Sequence, residues 1–213
     1  EKLIEGQYIT RSIEGRAEEL ADECQDLTTS ISVTDAFSNL SLKLYALYLK
    51  IGLVSNEQDF FMVKSFFNGQ LPKTRFEDLD FWGKVYYCQC YAWMHLMCHE
   101  YPLTYRYTQR WVDLFQENEK MIAANAPMYL KGIHNNLATL FNMWQYDKFV
   151  DQLETLELFP HQFDLTNNTN VEGLFHLYQF DHQIQRHYME GTFKEGLGLV
   201  PQIMEVINDN RYN

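Results

Sequence analysis

Apolar residues recur along this chain at three- and four-residue intervals, the period of an amphipathic helix, and no run of strand-like alternation competes with them. Ile13, Ala17, Leu20, Ala21, Cys24 and Leu27 make one stripe; Phe37, Leu40, Leu44, Leu47, Tyr48 and Ile51 make a second, which Gly52 ends. Ser55 with Gln58 has capping-box spacing ahead of Phe60, Val63 and Phe67. Thr74 with Glu77 repeats it before Phe81, Val85, Cys88, Ala92, Leu96 and His99, a helix that Pro102 is expected to terminate. Tyr107, Trp111, Leu114 and Phe115 supply the next face, and Leu130, Ile133, Leu137, Leu140, Phe141 and Trp144 follow Pro127. After a tight turn at 145–147 come Phe149, Val150, Leu153 and Leu156, up to Pro160. The polar segment FDLTNNTN reads as a loop. Val171, Leu174, Phe175, Tyr178 and Ile184 then lead to Tyr188, and Phe193, Leu197, Val200, Met204 and Ile207 make a last helix that Pro201 kinks. The chain is expected to be all-α.

Turns near Gly52, Pro102, Tyr146 and Gly191 are about 44 to 50 residues apart, the range of helical-hairpin repeats. One leading helix and four hairpins, over 33–68, 74–119, 127–160 and 170–209, would make a single domain of 1–213. Such hairpins bury their apolar faces only by stacking on neighbours, which predicts an α-α superhelix with an open inner surface.

NNLATLFNMWQYDKFVDQLETLELFP, Asn135 to Pro160, resembles a tetratricopeptide repeat: Asn136, Leu137 and Ala138 at the start, Phe141 one turn on, Tyr146 at the turn, and Leu156, Glu157, Leu158 and Pro160 at the close. YMEGTFKEGLGLV is similar, with Gly191 and Phe193 at the turn and Gly196 at a small-residue position, and LYLKIG is a weaker third match. The resemblance covers about half the chain, and its hairpin spacing exceeds the family's usual length of about 34 residues. It implies an adaptor that binds a protein or peptide along the first helices of its hairpins. Matching the motif in register places Asn135, Thr139 and Asn142 on that surface, with Asp181 and Gln185 from the last hairpin. A solvated outer face accounts for the same residues.

A formal net charge of -12 repels nucleic acid and anionic membrane surfaces. Cys24, Cys88, Cys90 and Cys98 are too few for a disulfide scaffold and fit a reducing cytoplasm. The most apolar stretch, Phe81 to Cys98, carries Lys84, Gln89 and His95 and reads as a buried helix rather than a membrane span. A start at Glu1 instead of Met leads us to expect a piece of a longer chain.

Little else points to chemistry. MEGTFKEG spaces two glycines as a phosphate-binding loop does, but Leu197 and Gly198 stand where lysine and a hydroxyl would be needed, so a turn between helices is expected. Cys88 and Cys90 point their thiols apart on a helix. Arg106 and Arg110 form an outward i, i+4 pair that can hold a partner's carboxylate or phosphate, or pair with nearby acids. His95 and His99 are one turn apart and can face one metal, while His176, His182 and His187 are less favourably spaced. The expected protein is a non-enzymatic, cofactor-free scaffold for a protein or peptide partner. The alternative is a helical metal-binding or enzymatic domain built on one of those histidine sets.

Overall fold

A computed structural model of the chain describes residues 16–163 and 168–208, and all its regular structure there is helical. Ile13 and part of the FDLTNNTN segment lie outside the described residues. Contacts divide the chain into two compact units, the boundary falling between Cys90 and Tyr91.

The first unit opens with α1, Arg16–Ile51, a single helix of 36 residues. It joins the two stripes expected to be separate helices. Residues 28–36 contain no glycine or proline, and the Thr28 and Thr29 hydroxyls donate back to the Cys24 and Gln25 carbonyls, at 2.8 Å each. Only part of the leading stripe is covered: Leu20 is buried, while Leu27 is 62% exposed. Further along, Phe37, Leu40 and Leu44 are buried, as are Val63 and Phe67 of α2, Glu57–Gln70, which packs on α1.

Both capping boxes are displaced. Asn56, not Ser55, caps α2, its Oδ1 accepting the Asp59 N–H at 2.9 Å, and the Ser55 hydroxyl instead lies 3.4 Å from the Asp59 carboxylate. In place of a cap at Thr74 there is a 3-10 turn, Phe76–Asp78, and α3, Phe81–Met97, begins behind Asp80. Asp80 Oδ1 accepts the Gly83 N–H at 2.6 Å and the Thr34 hydroxyl at 2.9 Å, so one carboxylate caps α3 and fastens α1. Asp80→Ala should therefore lower stability by about 0.5–2 kcal/mol in chemical denaturation, a cap's usual worth. A smaller loss in Thr34→Ala would separate the fastening from the cap.

The second unit comprises the end of α3 and the helices α4 (Tyr101–Gln116), α5 (Glu119–Ala124), α6 (Ala126–Asn142), α7 (Tyr146–Glu157), α8 (Phe159–Gln162), α9 (Thr169–Glu190), α10 (Phe193–Leu197) and α11 (Val200–Ile207). The α6 helix packs against α4, α5, α7 and α9, and α9 packs also on α7. Trp111, Phe115, Leu130, Ile133, Leu137, Leu140, Phe149, Leu153, Leu156 and Phe159 are buried there. Helices α4 and α6 approach closely because Gly132 has no side chain: a Cβ there would lie 3.2–3.3 Å from the Trp111 indole ring.

Prolines set the helix starts. Pro102, Pro127, Pro160 and Pro201 each lie in the first turn of a helix, where the missing N–H would have no intrahelical partner. Pro102 and Pro160 thus begin α4 and α8 instead of ending the helices before them. Pro201 begins α11, so the expected kinked last helix is two helices, α10 and α11. Left-handed backbone serves other turns, at Gly52 with φ 71°, His99 with φ 57°, Trp144 with φ 54° and Gly191 with φ 73°.

No helix among the described residues is long and apolar enough to cross a membrane. Cys24, Cys88, Cys90 and Cys98 are all free thiols. Burial pushes the Cys90 thiol far up, and its S–H donates to the Phe37 carbonyl at 3.2 Å, so it packs as a core residue.

Candidate functional site

Two side-chain clusters stand out in the second unit. The first is aromatic and open to solvent. Trp144 is held outward by its left-handed backbone, and its ring lies 6.2 Å from that of Phe141 and 6.0 Å from that of Tyr188. Phe141 and Tyr188 are 5.9 Å apart, and Phe193, the first residue of α10, meets Tyr188 edge-on at 6.0 Å. Trp144, Tyr188 and Phe193 remain 60%, 53% and 58% exposed. Tyr188 meets both Trp144 and Phe193, and three large rings so joined that keep half or more of their surface in water form a contiguous apolar patch, unlike scattered surface hydrophobes.

A polar network centred on Glu190 borders this patch. Glu190 accepts from the Tyr146 hydroxyl, from Arg186 Nε at 2.8 Å and from the Thr192 hydroxyl at 3.3 Å. Hydrogen bonds from Tyr146 and Arg186 hold its carboxyl below the usual range, and the bond to Glu190 raises the Tyr146 phenol. Thr192 is thus engaged with Glu190 and, at 2.8 Å, with His187 Nδ1, and its side chain does not cap α10. At Gly196, the small-residue position of the resembled motif, a Cβ would meet that of His187 at 3.1 Å, so glycine there permits a close approach of α10 to α9.

The second cluster joins α6 to α9. His134 Nδ1 lies 2.9 Å from His182 Nε2 and 3.9 Å from Asp181 Oδ2. The His134 ring stacks on Tyr178 at 4.1 Å, and His182, wholly buried, meets Phe149 edge-on. Gln185 fixes the protons: its Nε2 donates to Asp181 Oδ1 at 3.3 Å, which leaves its Oε1 to accept from His182 Nδ1 at 2.9 Å. The proton of His182 therefore sits on Nδ1, and the Nε2 lone pair faces His134. Burial pushes His182 down to about 4. Burial first, and the charges of His182 and Lys131 after it, push His134 to about 4 against the opposing pull of Asp181.

The residues picked from sequence scatter over these surfaces. Asp181 and Gln185 fall in the histidine cluster. Asn135 and Asn142 bond back to the Lys131 and Ala138 carbonyls, at 2.7 Å each. Thr139 is buried and donates to the Asn135 carbonyl at 2.7 Å, so its hydroxyl faces packing rather than an open groove. Arg106 is exposed, and Arg110 pairs with Glu117 at 2.7 Å.

The expected histidine sets do not converge as sets. His95 Nδ1 lies 2.6 Å from Glu100, with its ring stacked on Tyr107, while His99 takes a positive φ of 57° and turns to the Tyr101 hydroxyl at 3.2 Å. Of the other three, His187 engages Thr192, and His176 Nδ1 is buried with no hydrogen-bond partner among the described residues. His182 alone meets a second imidazole, that of His134. The place of His134 facing α9 depends on how α6 and α9 pack, which no local spacing reveals. Trp144, expected on a buried stripe, projects outward because the helix ends two residues earlier, at Asn142.

No protein-family profile matches the chain, and no curated protein or solved structure matches it.

Proposed function

We propose that this chain is a partner-binding module of tetratricopeptide-like helical hairpins, not an enzyme, working in a reducing cytoplasm. The packing order within the second unit supports the repeat reading. The first helix of the last hairpin, α9, packs on both helices of the preceding one, α6 and α7, as stacking hairpins require. The free thiols agree with a reducing compartment.

The observation that carries the binding function is the exposed aromatic patch of Trp144, Tyr188 and Phe193. Trp, Tyr and Arg dominate the energetic centres of protein interfaces. Here Arg186, Tyr146 and Glu190 border the rings, which supplies a polar rim around an apolar centre. The net charge of -12 selects the partner's character: a protein segment that presents an apolar anchor flanked by lysine or arginine.

The wild-type chain, immobilised, should retain such a partner from native extract. Once that partner is identified and titrated, Trp144→Ala should weaken binding by about 2 kcal/mol or more, roughly thirtyfold, with an unchanged circular dichroism spectrum. Equal affinity of wild type and Trp144→Ala would refute the aromatic contact. A loss confined to Asn142→Ala would move the site to the surface expected from the repeat motif.

A further inference from the structure

We propose that His134, Asp181 and His182 bind one divalent transition-metal ion of the zinc type, which would clasp α6 to α9. Among the described residues these three side chains place one ligand atom each within 4.8 Å of one another. Two imidazole nitrogens bound to one ion at about 2.0–2.1 Å stand roughly 2.9–3.4 Å apart, for bond angles between a right angle and a tetrahedral one. His134 Nδ1 and His182 Nε2 are 2.9 Å apart, at the near edge of that window. Two nitrogens and one carboxylate oxygen form the donor set that borderline metals such as zinc prefer.

The independent support is Gln185. Metal-binding histidines characteristically donate their second ring N–H to an oxygen, which fixes the tautomer and aims the free lone pair. Gln185 Oε1 does this for His182 Nδ1, and the same amide donates to Asp181 Oδ1, leaving Oδ2 as the oxygen on the His134 side. One side chain thus orients two of the three ligands. In the ion-free arrangement His134 Nδ1–H fills the gap by donating to His182 Nε2. The ion takes that place when the His134 proton moves to Nε2, so both imidazoles remain neutral. The His134 side chain is 28% exposed and that of Asp181 46%, which gives the ion a route from solvent and leaves room for water to complete the coordination. Lys131 is the opposing charge on α6, and its ammonium is itself disfavoured by burial.

The clasp is independent of the aromatic patch, so it can fail without the partner-binding reading failing, and the reverse. The test uses the full chain, stripped with a chelator and then dialysed against zinc chloride. About one zinc per chain should be retained, and the thermal midpoint should rise with zinc concentration, since the ion binds only the folded state. His134→Gln and Asp181→Asn should abolish both effects. Gln185→Leu, which removes no ligand, should weaken zinc binding about 10- to 100-fold. His161→Ala, at an exposed residue outside the cluster, should change nothing. No retained zinc in the wild-type chain, or retention undiminished in Asp181→Asn and Gln185→Leu, would overturn the proposal. Should His134→Gln fail to fold, those two variants decide the matter.

Discussion

Trp111→Ala should be the most damaging single truncation in the second unit, lowering its stability by about 3–5 kcal/mol, the range for losing a large buried ring. Trp111 is 1% exposed. Its indole N–H finds no acceptor among the described residues, so the ring is held by packing alone and truncation sacrifices no hydrogen bond. The cavity cannot close easily, because the face of α6 that meets the ring carries Gly132. Trp111→Phe should cost much less, since most of the apolar volume survives. Gly132→Ala tests the same contact from the other side: its methyl would sit 3.2–3.3 Å from the ring and force a shift of a few tenths of an ångström. In the Trp111→Ala background that clash is gone, and the added methyl should be neutral or favourable. A urea-denaturation double-mutant cycle over the two positions should therefore show coupling on the order of 1 kcal/mol or more. A Trp111→Ala variant that loses less than about 1 kcal/mol would contradict this account.

Acid should be the second large perturbation. In the folded chain His182 and His134 both titrate at about 4, whereas an unfolded histidine binds its proton near 6.5. Between those values the unfolded chain holds more protons than the folded one, and linkage then requires stability to fall as pH falls. The loss begins below about pH 6.5 and levels off below about pH 4. The gap of roughly 2.5 pH units at His182 corresponds to about 3 kcal/mol. His134 adds less, because its side chain keeps 28% contact with water and because the two rings share one hydrogen bond. Asp181 eases protonation at His134 and Lys131 opposes it. Thermal denaturation from pH 7 to pH 4.5, with chelator present, should show the midpoint dropping steeply in the wild type and less steeply in His134→Gln. A flat wild-type profile would mean that the imidazoles are not held neutral.

The helical class was legible because the apolar period survives wherever a helix packs on one side: Phe37, Leu40 and Leu44 on α1, and Leu130, Ile133, Leu137 and Leu140 on α6. Helix boundaries were less so. A proline reads equally well as the last residue that stops a helix or the first that starts one, and here all four in α4, α6, α8 and α11 start one. The two stripes read as separate helices are one, and between them Thr28 and Thr29 satisfy their hydroxyls on their own helix. The binding surfaces depend on tertiary placement. His134 and His182 are 48 positions apart and meet only because α6 and α9 pack together. Trp144 differs from the buried aromatics only by lying just past a helix end, a distinction that requires the boundary to be known first.

The length of α1 has a consequence for how the first unit breathes. At about 1.5 Å per residue its 36 residues span roughly 54 Å, while the 14 residues of α2 span about 21 Å. From Ala21 to Thr29 no side chain is buried, so that stretch draws less on packing for its stability than the stretch that buries Phe37, Leu40 and Leu44. Its backbone amides should exchange through local openings far cheaper than those that release Phe37 or Leu44. Asp80, holding Ser30 and Thr34 just beyond it, marks where α1 is fastened again to the rest of the unit.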